Sequence, residues 1–73
     1  MGQDEEKKQE KLEALLEHGI EHNEDHGNEI NEWADTAQEL GKVKVHELLN
    51  EASSSISDGV SHLTEALELL REG

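Results

Sequence analysis

An all-α fold, an antiparallel two-helix hairpin, is what the sequence predicts, and three observations predict it: two long rows of residues at helical spacing and one glycine between them. The first row is Leu12, Leu16, Gly19, Asn23, His26, Ile30, Trp33, Ala37 and Leu40, with every step three or four residues. Such spacing lays its members along one face of a single helix. The second row, Val45, Leu49, Ala52, Ile56, Gly59, Leu63, Ala66 and Leu70, keeps the same step, and Leu48, Val60 and Leu67 widen it. Gly41 falls between them, where a helix C-terminus needs a residue that tolerates a left-handed backbone. Helices over residues 4–40 and 43–71, joined so tightly, must run antiparallel.

Each element has a weak point. Residues 1–11 are polar, and Glu5, Glu6, Lys7, Lys8, Glu10 and Lys11 place both signs of charge at helical spacing, which suits a frayed first turn or two. Gly27-Asn28 interrupts the first pattern, and Ser53-Ser54-Ser55 with Ser57-Asp58-Gly59 interrupts the second. Each interior glycine costs about 1 kcal/mol relative to alanine. The apolar phase nevertheless runs unchanged through both points, so continuous helices are expected. A three-helix bundle with a break near residues 53–58 is the alternative.

The chain of 73 residues forms one domain and is short enough that a lone monomer is marginally stable. Both stripes are wider than a two-position seam, and dimerisation to a four-helix bundle is the simplest way to cover the remainder. Ile30, Trp33, Leu49, Ile56 and Leu63 are the expected packing residues, with Asn23 a polar member of the seam.

Composition excludes several function classes. The formal charge is −13, from 19 acidic and 6 basic residues, so a phosphate backbone is repelled and nucleic acid is not an expected partner. A solvated acidic face or a basic protein partner fits this surface better. Without cysteine there is no disulfide, thiolate zinc site or cysteine nucleophile. The start Met1-Gly2-Gln3-Asp4 carries no apolar stretch, and no apolar run is long enough to span a membrane, so a cytoplasmic location is expected by default.

The chemistry-bearing constellation is a row of histidines. His18, His22 and His26 stand four residues apart, which puts them on adjacent turns of one helix face. Two imidazoles so placed can chelate one divalent ion. Counted at 100° per residue, His26 falls inside the apolar stripe, His22 at its edge and His18 towards solvent. Folding about residue 42 brings His62 to the height of His22 and Asp58 to that of His26. The candidate metal ligands are therefore His22, His26 and His62, with Asp58 and His18 as further members. An N/O set of this kind suits Zn, Ni, Co, Cu or Fe(II). The competing reading makes the same histidines structural groups in a packed seam, and His46, beside Glu47, reads as an ordinary surface residue.

No enzyme is expected. His46-Glu47-Leu48-Leu49-Asn50 has Asn50 where a zinc protease needs its second histidine. No glutamate precedes a histidine by three, as di-iron bundles require. The stretch His22 to Trp33 lacks the oxygen ligands of a calcium loop.

The segment Leu15-Leu16-Glu17-His18-Gly19-Ile20-Glu21-His22-Asn23-Glu24-Asp25-His26, followed by Trp33-Ala34, resembles a small prokaryotic family of uncharacterised helical domains. Its members show His-Trp-Ile-x-His-Asn-x-x-His, then Trp-Ala, then a second helix rich in Leu, Ala and Glu. The resemblance covers residues 12–72 and departs from the pattern at Gly19 and Ile30, where the family carries Trp and an aromatic. It implies that His18, His22, Asn23, His26 and Trp33 act as one unit. Two functional expectations follow: a small metal-binding helical protein, or a helical interaction and oligomerisation module with structural histidines.

Overall fold

The computed structural model describes residues 2–72. Two helices account for nearly all of them: α1, Gly2–Glu39, and α2, Val43–Glu72. No strand is present among the described residues. Both helices run unbroken through their weak points, so the three-helix alternative is not adopted, and α1 continues through the charged residues ahead of Leu12. Asp4 and Glu5 in the first turn of α1, and Arg71 in the last turn of α2, match the sign of the helix dipole at each end.

The turn forms where the glycine predicted it. Gly41 has φ of 74°, the Gly41 amide donates to the Gln38 carbonyl at 3.0 Å, and the Lys42 amide donates to the Ala37 carbonyl at 2.9 Å. Those two bonds are the reciprocal pair of a Schellman cap, which satisfies carbonyls left open at the end of α1. The His46 amide then donates to the Lys42 carbonyl at 2.9 Å and opens α2. The result is an antiparallel rod of 59 × 14 × 12 Å.

Contacts across the hairpin fix its register. The Ala34 carbonyl meets His46, Asn31 meets Ser53, Gly27 meets Ile56, Gly19 meets Leu63 and Glu17 meets Arg71. The seam is a strict heptad pattern on both sides. On α1 it consists of Glu13, Leu16, Ile20, Asn23, Gly27, Ile30, Ala34 and Ala37, and on α2 of His46, Leu49, Ser53, Ile56, Val60, Leu63, Leu67 and Leu70, all buried or half-buried. The buried centre is small: Ile30, Ala34, Ala37 and Leu67. Ile30, Leu49, Ile56, Leu63 and Asn23 all lie in this seam.

The second row of each stripe does not. The expected faces shared the line through Leu16, Asn23, Ile30 and Ala37 with the true seam, but flanked it on the wrong side. His26 and Trp33 are replaced in the seam by Gly27 and Ala34, one residue further along. Trp33 is 51% exposed, and the His26 side chain is 48% exposed. The physical reason is width. Gly27 lets the Ile56 side chain come to within 3.4 Å of where a Cβ would stand, and Ala34 is 1% exposed. An indole at that level would force the helices apart.

Candidate functional site: the Leu, Trp and His face

Placing Gly27 and Ala34 in the seam turns a second apolar row outwards. On α1 it holds Leu12, Leu15, Gly19, His22, His26, Trp33 and Leu40, and on α2 Val45, Leu48, Ala52, Gly59, His62, Ala66 and Leu69. In an antiparallel pair the two rows lie on the same side of the hairpin, because the opposite edge carries the cross-helix pair Glu17–Arg71. Leu12, Leu15, Trp33, Leu40, Val45, Leu48 and Leu69 are all exposed large apolar side chains, and Val43 beside the turn is the remaining one. Solvent exposure of this many large side chains on one side is not the scatter normal for a monomer. Charge is sorted in the same way. Glu29 is the one acid among the outward positions of this face between Leu12 and Leu69, in a chain with 19 acids.

His22, His26 and His62 sit in the middle of that face, and His18 lies one row further out. His18, His22 and His26 form a ladder in which neighbouring ring centroids are 6.3 Å apart and nearly parallel, at 17° and then 9°. The indole of Trp33 closes the ladder edge-on to His26, again at 6.3 Å. This juxtaposition of His18, His22, His26 and Trp33 follows from the four-four-seven spacing of one straight helix. Asn23 leaves the ladder. It lies in the seam, and its Nδ2 donates to the Gly19 carbonyl at 2.8 Å.

His62 shares both face and height with His22, since Gly19 lies opposite Leu63. Its Nδ1 donates to the Asp58 carbonyl at 2.7 Å. The Asp58 residue is therefore joined to His62 by its backbone, and its carboxylate stands on the outer side of α2. Among the described residues, no three or more His, Asp or Glu side chains gather closely enough to hold one metal ion. A single chain thus presents His22, His26 and His62 along one surface without closing them on a common point.

Three residues that carry the geometry escaped the sequence reading. His46 is not an ordinary surface residue: it is half-buried in the seam, where its Nδ1 donates to the Ala34 carbonyl at 2.7 Å and its Nε2 accepts from Asn50 Nδ2 at 3.0 Å. Ser53, read as part of a helix interruption, donates across the seam to Asn31 Oδ1 at 2.6 Å. Arg71 pairs with Glu17. The available signal was the heptad phase of His46 and Ser53 with Val60 and Leu67.

The opposite face differs in kind. An open groove of about 570 Å³ is lined there mainly by asparagines and serines, among them Asn28, Asn31, Asn50 and Ser57, together with Glu24 and Ile56. Amides and hydroxyls on that side make it a wettable surface.

No curated protein and no solved structure matches the chain. Residues 12–70 match the model described as a domain of unknown function, DUF8180, a span that begins at the first leucine of the apolar face and ends at the last residue of the seam. The chain belongs to that family.

Proposed function

We propose that the protein is a non-catalytic helical assembly module that docks a second copy of itself through the Leu, Trp and His face, making a four-helix bundle. The observation that supports this most directly is the segregation of exposed Leu12, Leu15, Trp33, Leu40, Val45, Leu48 and Leu69 onto one side of the hairpin. Area supports it too. Folded monomers of 8.2 kDa expose about 4,500 Å² by the usual scaling, and this chain exposes 5794 Å². A face of 59 × 14 Å, matched to its like, covers on the order of 800 Å² per copy, one partner's share of a standard stable interface.

A second copy suits the chemistry better than a basic partner. The face offers Glu29 as its lone carboxylate, so a cationic surface would find little to pair with, whereas another apolar face meets apolar side chains. Gly59 points the same way. A Cβ there would meet nothing within 4 Å in its own chain, unlike one at Gly27. Gly59 therefore costs about 1 kcal/mol of helix propensity with no return inside the hairpin, and close approach by another helix supplies a reason for it.

Sedimentation equilibrium of the untagged chain tests the reading, with fluorescence of Trp33, the single aromatic residue outside histidine, as a second readout. The expected result is a dimer at micromolar concentration with indole emission shifted to the blue. A monomer at several hundred micromolar, with emission like free indole, would overturn it.

A further inference from the structure

We propose that two copies packed through this face hold a divalent transition-metal ion at its centre, the His22 and His26 imidazoles of one copy sharing it with histidines of the other. The inference rests on the assembly reading and deepens it. Position is the first argument. The paired part of the hairpin runs from the turn at Gly41 to the bond between Gln9 Nε2 and the Leu70 carbonyl, and His22 and His26 flank its midpoint. A closed two-fold dimer formed face to face has its axis in the interface, along the helices or across them. In both cases residues at mid-height stay at mid-height. If α1 lies on α1, His22 and His26 meet their own counterparts. If α1 lies on α2, His22 meets His62.

The second argument is how the rings are held. His62 Nδ1 is occupied by the Asp58 carbonyl at 2.7 Å. A carbonyl or carboxylate on one ring nitrogen is the usual outer support of a metal-binding histidine, and it leaves Nε2 free. His22 and His26 are parallel to within 9° on consecutive turns, so both present edges to one side of the helix. Because one chain assembles no group of three such ligands among its described residues, a closed site takes ligands from both copies, and imidazole-only sets favour Zn, Ni, Co or Cu over Mg or Ca. The second copy supplies what the first lacks.

Binding and association must then be linked, each strengthening the other by the same factor. The experiment measures the dimer dissociation constant of the untagged chain in EDTA and with Zn, Ni or Co in slight excess. At least one metal is expected to tighten the dimer tenfold or more. His22→Ala and His26→Ala should each lose most of that gain with helicity unchanged, since both side chains lie outside the seam, while Asp58→Asn keeps it. Tightening by none of the three metals, or tightening that survives the double variant, overturns the site. A dimer in EDTA that ignores metal overturns the site and leaves the assembly reading standing. A monomer under every condition overturns both.

Discussion

The two broad faces of this hairpin come from the same pair of helices, yet one is built of asparagine and serine and the other of leucine, tryptophan and histidine. On the polar side, Ser53 and Asn31 bond to each other across the seam, and the pair Glu17–Arg71 bridges the edge. On the apolar side, Trp33 and Leu48 find no such neighbour and face solvent half or more exposed. The difference teaches where the free energy is unspent. Amides and hydroxyls at a wet surface are already satisfied, whereas each exposed Leu or Trp keeps about half of its surface in water, where burial would release roughly 25 cal/mol per Å². The hairpin's own core of Ile30, Ala34, Ala37 and Leu67 is correspondingly thin.

Charging one face and then the other is the largest test of this contrast. Trp33→Glu combined with Leu48→Glu should weaken self-association by about a thousandfold, roughly 4 kcal/mol, the loss of two large apolar anchors. Asn31→Glu combined with Ser54→Glu should change it by less than about threefold. Sedimentation equilibrium reads both, and equal effects from the two pairs would erase the distinction between the faces. Next in size is Ile30→Ala, which removes a buried seam side chain shared by both faces. It should cost about 3 kcal/mol in thermal or urea unfolding, and the faces should disappear together in one transition.

The sequence made the hairpin legible because Gly41 and two unbroken periodicities leave little choice of topology. It did not reveal which side of the line through Ile30 and Ala37 faces the partner helix. Rows beginning at Leu12 and at Glu13 both repeat every seven residues, and the row with leucine, histidine and tryptophan is the more apolar of the two. Hydrophobicity alone therefore favours Trp33 over Ala34. Packing decides otherwise, since Gly27 and Ala34 allow an approach that an indole would prevent. The same rotation explains the histidines. Their ladder was readable from the spacing of His18, His22 and His26, and the level of His62 from the turn. The exposure of His26 was not, and neither was the cross-helix bond of His46, whose place in the seam depends on that rotation.

Smaller effects separate the turn from the faces. Gly41→Ala meets no atom within 4 Å, so its cost is the left-handed backbone alone, φ 74°. About 1 to 2 kcal/mol of destabilisation is expected, seen as a lower melting temperature with the dimer's dissociation constant unchanged after correction for unfolded chain.

The finest distinction lies between Gly27 and Gly59, one in the seam and the other at the centre of the apolar face. Alanine at either gains about 1 kcal/mol of helix propensity. At Gly27 the new methyl touches Ile56 at 3.4 Å, so part of the gain is returned as crowding within the hairpin, at every protein concentration. At Gly59 the methyl meets nothing in its own chain, so dilute monomer should melt about 4 to 8 °C higher. If a second copy closes on that face, the advantage must shrink as concentration rises, because the added Cβ stands between the two hairpins. Melting curves of Gly59→Ala at about 2 and 200 μM decide it: a gain that is the same at both concentrations would mean that no helix approaches Gly59 closely, and that its want of a side chain serves nothing in the assembly.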